Sequence, residues 1–212
     1  MIGPAKGRPE RQVHEGRYCR LEPIAVAHAH DLFEAAGPDR YTYLFSYKPP
    51  DEATMTALLE TEAAKDDPLY FAVVDKATGR AEGKQSLMRI TPEHGVIEIG
   101  GILWGDRIAR TRVATEAQFL FARHVFDDLG YRRYEWKCNA LNAPSRRAAE
   151  RFGFTFEGIF RQHLIIKGEN QDTAWFAMLD GDWPRIKAGY ERWLEPENFA
   201  ADGTQRSKLS FG

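Results

Sequence analysis

The sequence predicts one mixed α+β domain, and three observations support this prediction. The chain has 212 residues, of which 43% are hydrophobic and 28% are charged, as in a single globular domain. Short strand patterns separated by turn residues fill its middle part. In the C-terminal half, strand patterns alternate with helical patterns. Strands that occur both in hairpins and between helices are typical of the mixed α+β class.

The first half of the chain contains two predicted helices and four predicted strands. Residues 16–24 predict a strand, and residues 25–37 predict a helix that ends at Gly37. Residues 51–65 predict a second helix, because acids occupy its first turn and apolar residues recur at helical spacing. An aromatic loop precedes this helix. The other three strands, separated by the turn sequences KATG and PEHG, span residues 69–75, 81–92 and 95–104.

The second half contains three predicted helices and three predicted strands. Apolar residues at helical spacing from Val113 to Leu129 predict a helix of about four turns that ends at Gly130. A last helix spans residues 183–195 and has Pro184 near its first position, where proline is tolerated. The remaining elements are strands at 132–140, 154–168 and 172–180 and a helix at 143–152.

The two ends of the chain are polar and lack long periodic segments. We expect residues 1–15 to form a flexible arm, residues 16–196 the domain, and residues 197–212 a loose tail. The N-terminus has no apolar stretch typical of a signal peptide, and no window approaches the roughly 18 apolar residues of a membrane span. These features favour a soluble, cytoplasmic protein.

Charge and cysteine content exclude several classes of site. The net charge of −2 gives no signature of nucleic-acid or membrane binding, so any anion site must be local. The two cysteines, Cys19 and Cys138, lie far apart and lack the spacing of metal ligands. We therefore expect no metal site and no disulfide scaffold, and a reducing compartment fits best.

Two adjacent glycines interrupt the buried strand pattern EIGGILW. Gly100 and Gly101 weaken a strand, because glycine costs backbone entropy and leaves no side chain to pack. Such a pair often marks a β-bulge or a place where a ligand approaches the backbone. Close packing of a neighbouring helix or ring is the alternative interpretation. A ligand on this strand would run towards the helix that follows.

Positive charge is concentrated where that helix begins. Arg107, Arg110 and Arg112 precede or open it, and Asp106 is the only nearby acid in the sequence. The first-turn N–H groups of a helix lack partners and the helix dipole is positive there, so an anion would be stabilised. Thr111 is the candidate N-cap. A solvated surface loop is the alternative, although cations at this end are unfavourable without an anion.

Several motifs together resemble a known enzyme family. They are EIGGILW, ARTRVATEA, LGYRRYEWKCNALNAPSRRAAERFGFTFEG and the later strand WFAM. The chain resembles the GCN5-related N-acetyltransferases (GNAT), especially the branch related to the ribosomal-protein N-terminal acetyltransferases. The resemblance covers residues 16–185, and its most specific block runs from Leu129 to Gly158. It implies a mostly antiparallel, twisted sheet of about seven strands, flanked by helices and splayed between the fourth and fifth strands.

The resemblance implies acetyl-coenzyme A as co-substrate. In the family the pantetheine arm bonds the fourth strand, which maps to Ile102, Leu103 and Trp104. The pyrophosphate loop, patterned Gln/Arg-x-x-Gly-x-Gly/Ala, aligns with Ala109, Arg110, Thr111, Arg112, Val113 and Ala114. Ala109 and Arg112 depart from that pattern, but first-turn helical residues do not need glycine, and an arginine there can contact a phosphate itself.

Two polar residues of the block lie beside the expected cofactor. Asn142 would bond the pantetheine or hold the loop, and Ser145 would approach the cofactor sulfur. Helix capping explains both residues equally well, with Pro144 at an early helical position. Many family members supply a proton to the thiolate from a tyrosine that aligns here with Ala149. In its absence Ser145 is the expected hydrogen-bond donor, as in the ribosomal-protein branch.

Three residues are candidates for the base that accepts the amine proton. Glu98 alternates with two isoleucines and faces either the cleft or solvent. His163 titrates in the right range, although a lone histidine in a strand is often structural. Glu116 also fits a dipole partner in the first turn of its helix. Tyr43, Phe45, Trp104, Trp175 and Phe176 line an acceptor pocket or belong to the core.

The sequence therefore predicts an N-acetyltransferase that moves an acetyl group from acetyl-CoA to a primary amine by direct attack on the thioester. The amine belongs to a protein N-terminus or to a small molecule. The alternative is a catalytically silent acyl-CoA-binding or interaction module, because the tyrosine is missing and the phosphate loop is altered. Acetyl-CoA and the amine acceptor are the expected partners, and a second copy of the chain is a further candidate.

Overall fold

The computed structural model describes residues 3–212, which form one sheet with helices on both faces. The strands are His14–Glu15 (β1), Cys19–Pro23 (β2), Leu69–Asp75 (β3), Arg80–Thr91 (β4), Val96–Trp104 (β5), Arg133–Asn139 (β6), Thr155–Ile166 (β7) and Glu169–Leu179 (β8). The main helices are Ala29–Ala35 (α1), Glu52–Ala63 (α2), Arg112–Arg123 (α3), Ala143–Arg151 (α4) and Trp183–Trp193 (α5). The predicted mixed α+β class is confirmed.

The sheet is antiparallel except at one pair of strands. Its order is β1-β2-β3-β4-β5-β6-β8-β7, and only β5 and β6 run parallel. Parallel neighbours need a crossover connection, which α3 supplies here. The sheet has eight strands where about seven were predicted, because the two-residue strand β1 lies inside the expected arm. The fourth and fifth predicted strands are therefore β5 and β6.

The two faces of the sheet carry separate apolar clusters. On β3, Phe71 and Val73 belong to the large cluster that includes residues of α3, α4 and α5. Ala72 and Val74, which alternate with them, belong to the cluster formed with α1 and α2. All four side chains are buried, and each fully buried large one contributes about 1.5–3 kcal/mol. The central strands are thus a rigid platform packed on both sides.

Residues of the N-terminal arm form hydrogen bonds with the domain. The backbone N–H groups of Ala5 and Lys6 donate to the carbonyls of Pro92 and Leu129, both at 2.9 Å. The arm then pairs with β2 through β1, where the side chain of His14 is only 8% exposed. Its anchors are residues far along the chain, which local sequence patterns do not reveal.

The C-terminal tail also lies against the domain. Phe199 is buried and forms a bridge with Gln205. The ring of Phe211 packs so closely on Gly189 of α5 that a Cβ there would lie 2.6 Å from it. Within residues 3–212, none of the helices is both long and apolar enough to cross a bilayer.

Candidate functional site

A cleft opens where the two parallel strands separate. β5 and β6 pair over four residues, from Val96 with Arg133 to Ile99 with Trp136, and not beyond. The gap leads into a cleft of about 810 Å³ between the C-terminal halves of the two strands. Eight of the eleven predicted cofactor residues line it, namely Ile102, Leu103, Trp104, Ala109, Arg110, Ala114, Asn142 and Ser145. The predicted splay is confirmed.

The glycine pair forms a β-bulge in the strand at the floor of this cleft. Between the pairs Lys84–Leu103 and Ser86–Gly100, β4 contributes one residue and β5 contributes two. Gly101 has φ +58°, a left-handed conformation that favours glycine. A Cβ on Gly101 would also lie 2.9 Å from the ring of Tyr70. The bulge and the close packing proposed as alternatives therefore both occur.

The N-terminus of α3 lies at one end of the cleft. Thr111 is the N-cap, as predicted, and its hydroxyl accepts a hydrogen bond from the N–H of Val113 at 3.2 Å. Ala114 and Thr115, in the first turn, line the cleft. Val113 packs in the core instead. The positive end of the helix dipole thus lies at the cleft wall.

The three arginines at the start of α3 contact different partners. Arg107 donates to both oxygens of the buried Glu82 carboxylate at 2.8 Å, so a nearby acid exists that the local sequence does not show. Arg110 is exposed, lines the cleft and has φ +66°. Within residues 3–212 it forms no ion pair with an acidic side chain.

Arg112 does not reach the cleft. Its guanidinium lies 4.4 Å from the ring centroid of Tyr18 and 5.2 Å from that of Phe199, where cation–π attraction holds it. Together with Thr111 and Val113, it is one of the three predicted cofactor residues that do not line the cleft. Of the loop arginines, only Arg110 is directed to the expected ligand.

Sequence reasoning missed a second cation at this end of the cleft. Arg151, on the last turn of α4, donates to the hydroxyl of Thr115 at 3.1 Å and lines the cleft. It is half-buried, and burial lowers the pKa of its guanidinium. No carboxylate in the described part of the chain forms an ion pair with it. Its spacing of four residues from the cleft-lining Arg147 was the available signal, because residues i and i+4 share a helix face.

The roles of Asn142 and Ser145 separate in the structure. Asn142 caps α4, since its side-chain oxygen accepts a hydrogen bond from the backbone N–H of Ser145 at 3.1 Å. The Ser145 hydroxyl caps nothing. It accepts a hydrogen bond from the indole N–H of Trp136 at 3.0 Å and lies in the cleft wall.

Glu98 faces the cleft but is already bound by two cations. Its carboxylate, 3% exposed, accepts from Arg89 at 2.7 Å and from Lys137 at 2.6 Å. Lys137 also donates to Glu135 at 2.6 Å. To accept a proton, Glu98 would have to give up part of this network.

His163 also lines the cleft. Its Nδ1 is 3.0 Å from the Thr173 hydroxyl, and its ring packs against Phe160 and Trp175. Glu116 lies outside the cleft, and its carboxylate binds backbone N–H groups of the β1–β2 turn and of the first residue of β2. Of the aromatic residues considered for an acceptor pocket, three line the cleft: Tyr43, Phe45 and Trp104.

Comparison with known proteins identifies the class. Residues 19–155 match the family model described as the acetyltransferase (GNAT) domain. The match spans more than half of the chain, so the protein belongs to the GCN5-related N-acetyltransferase family. No curated protein is significantly similar to the chain.

Solved structures support the same assignment. The chain is 54% identical to a GCN5-related N-acetyltransferase from Brucella melitensis, with a TM-score of 0.95 over 98% of this chain and 96% of that one. A GNAT-family structure from Chromobacterium violaceum is 35% identical, with a TM-score of 0.79 over 87% and 93%. The microcin C7 self-immunity acetyltransferase MccE, in complex with acetyl-CoA and AMP, shares the fold at 19% identity, with a TM-score of 0.67 over 77% and 93%.

Proposed function

We propose that the protein transfers an acetyl group from acetyl-CoA to a primary amine, either a protein N-terminus or a small molecule. The observation that carries this proposal is the gap between β5 and β6, which joins a bulged strand to the N-terminus of α3. A neutral, extended arm fits along the strand, and phosphates fit at the positive helix end. MccE has the same fold and is bound to acetyl-CoA.

Arg110 and Arg151 are the proposed phosphate ligands. Both line the α3 end of the cleft, and neither is neutralised by an acid in the described residues. A half-buried guanidinium without a counter-ion is unfavourable, and a phosphate would offset this cost through charge-assisted hydrogen bonds. Arg151 therefore takes the role that the sequence assigned to Arg112.

The bulge in β5 is the proposed site for the carbonyl oxygen that gains negative charge. A bulge leaves its extra residue outside the strand ladder, so an N–H of the Gly101–Ile102 segment is free to donate. A fixed backbone donor stabilises such a charge without reorganisation. The nearby Ser145 hydroxyl is the proposed donor to the leaving sulfur. Ala149, which aligns with the tyrosine of other family members, is fully buried and does not line the cleft.

Coenzyme A binding and turnover test the proposed function directly. We expect calorimetry to detect coenzyme A binding below millimolar concentration, and thiol release to appear with N-terminal peptides or small amines. Absence of binding would contradict the proposal. Binding without turnover for any acceptor would support the alternative of a silent acyl-CoA-binding module, which the buried Ala149 favours.

We expect Arg110→Ala and Arg151→Met to weaken coenzyme A binding about tenfold each, because each removes a hydrogen bond to a charged group. Binding of S-acetyl-pantetheine, which lacks the nucleotide phosphates, should change less than twofold. Methionine is an apolar side chain of similar length, and it lacks the guanidinium that lies 5.0 Å from the ring centroid of Trp193. Calorimetry with coenzyme A and with S-acetyl-pantetheine measures the loss of affinity for each ligand. Arg112→Ala is the matched control, and equal losses for both ligands would contradict phosphate contact.

His163 is the proposed base, because the carboxylate of Glu98 is engaged by Arg89 and Lys137. We expect His163→Ala to lower kcat/KM about 100-fold, as measured by steady-state kinetics with acetyl-CoA and an amine acceptor. An unchanged kcat/KM in His163→Ala would place the base elsewhere.

A cytoplasmic location and a homodimer complete the proposal. The two cysteines are free thiols, which a reducing compartment maintains. The edge strand β7 exposes Phe156, Ile159 and Phe160, which a second copy of the chain would cover. Light scattering of the purified protein tests the assembly, and a monomeric mass would contradict it.

A further inference from the structure

A tryptophan on β6 fixes the direction in which the Ser145 hydroxyl can act. The indole N–H of Trp136 lies 3.0 Å from the Ser145 oxygen. An indole nitrogen is a donor only, so the serine oxygen must accept in this bond. The single hydroxyl proton is therefore left for a different partner.

The Cys138 thiol is a weak hydrogen-bond acceptor for that proton. Cys138, on β6, lines the same cleft as Ser145, and burial raises the pKa of its thiol, an effect that Ser145 opposes in part. Neutral sulfur is a weak acceptor. A thiolate in the adjoining cleft would bind the same proton more strongly, because hydrogen bonds to charged groups are the stronger ones. Both Cys138 and Ser145 line the cleft.

Trp136 is held rigidly enough to impose this direction. It is 3% exposed, and its ring packs against Trp104, Phe152 and Phe154, with centroids 5.7–6.3 Å apart. A buried indole N–H requires a partner, so the bond to Ser145 persists. Donation into a hydroxyl oxygen also polarises the O–H group and strengthens it as a donor.

We propose that Trp136 is a positioning residue that orients and polarises the Ser145 hydroxyl towards the sulfur of coenzyme A. This inference rests on the proposed function. The ammonium group of the acceptor first loses one proton to the base, and the neutral nitrogen then forms a bond with the acetyl carbon. The carbon–sulfur bond breaks with its electron pair on sulfur, the nitrogen releases its second proton to solvent, and the coenzyme A thiolate takes up a proton from solvent as it leaves. Ser145 stabilises that thiolate by donating its hydrogen bond.

The test is steady-state kinetics of Trp136→Phe with acetyl-CoA and an amine that the wild type acetylates. We expect kcat to fall about tenfold, the value of one hydrogen bond, with KM for acetyl-CoA changed less than twofold. Trp183→Phe is the matched control. Trp183 is buried in the same apolar cluster and donates to Asp127 at 2.7 Å, away from the cleft, so kcat should be unchanged.

A double substitution separates positioning from general damage to the core. If Trp136 acts through Ser145, Trp136→Phe should lower kcat no further in a Ser145→Ala background. Independent, multiplying losses would overturn the inference, as would equal kcat values for Trp136→Phe and Trp183→Phe. Wild-type turnover in these assays shows that the proposed function stands even where the inference fails.

Nuclear magnetic resonance tests the hydrogen bond without changing the tryptophan. The chain has five tryptophans and so gives five indole N–H signals. In Ser145→Ala we expect the Trp136 signal to shift and its proton to exchange faster with solvent, and in Ser145→Thr to remain close to the wild-type position. An unmoved Trp136 signal in Ser145→Ala would overturn the inference, whatever the fate of the Trp136→Phe protein.

Discussion

Replacing Glu116 with alanine is expected to lower the free energy of unfolding by about 3–5 kcal/mol, because three backbone donors, one of them buried and two partly buried, lose a charged acceptor. The Glu116 carboxylate, 4% exposed, accepts the backbone N–H groups of Arg17, Tyr18 and Cys19 at 2.6–2.7 Å. Consecutive N–H groups that converge on one anion form a nest, which here joins α3 to the β1–β2 turn. Urea denaturation of the wild type and the variant measures the loss.

The same contact predicts the behaviour of Gly16. A Cβ on Gly16 would lie 2.5 Å from the Glu116 carboxyl group, so Gly16→Ala should also destabilise the protein. Most of this cost should disappear in a Glu116→Ala background, where the obstructing group is absent. Glu60→Gln, on an exposed position of α2, is the control and should change stability by less than about 0.5 kcal/mol. Additive losses at positions 16 and 116 would contradict the nest.

Local sequence patterns were sufficient to predict an element whose structure depends only on its own residues. The strand predicted at 69–75 is observed as Leu69–Asp75, because a continuous apolar run bounded by turns needs no distant partner to be recognised. The pair Gly100–Gly101 predicted a bulge for the same reason. A backbone position with positive φ favours glycine, so this local requirement is visible in the sequence.

Several side chains contact partners that are far away in the sequence, and the sequence analysis did not predict these contacts. Arg107 binds Glu82, and Arg112 lies between Tyr18 and Phe199. All three partners belong to other elements, so the charge pattern of the loop predicted a larger anion site than the cleft contains. Arg151 is the opposite case: it is distant from the loop in the sequence, and the fold brings its guanidinium beside the start of α3.

The contacts of the N-terminal arm could not be predicted from its own residues. A polar segment with few apolar residues is expected to remain flexible, because it gains little from burial. Here the gain comes from partners already held by the folded domain, such as Tyr131, whose hydroxyl donates to the carbonyl of Gly7 at 3.0 Å. His14 is the buried titratable residue of this segment, so we expect the docking of the arm to depend on pH.

Acidification is expected to cost the protein about 3 kcal/mol of unfolding free energy through His14 alone. Burial, together with His124, lowers the pKa of His14 from 6.5 to about 4, and Asp128 opposes this only in part. Because the folded-state pKa is depressed, the unfolded chain takes up a proton first. Stability is therefore full above pH 6.5, falls as the pH drops from 6.5 towards 4, and changes no further below that through this group.

His14→Phe isolates this contribution, because a phenyl ring occupies the same place beside Phe71 and Phe121 and cannot be protonated. The measurement is the difference in unfolding free energy between variant and wild type, from urea titrations at several values between pH 7.5 and pH 4.5. The variant can differ in stability from the wild type at pH 7.5. Relative to that starting value, its unfolding free energy should rise by about 2–3 kcal/mol over that of the wild type on acidification to pH 4.5. His94→Gln, on an exposed turn, should retain the wild-type pH dependence. A constant difference across the range would show that the imidazole of His14 protonates as readily in the folded protein as in the unfolded chain, and the arm would then not be held by a neutral, buried histidine.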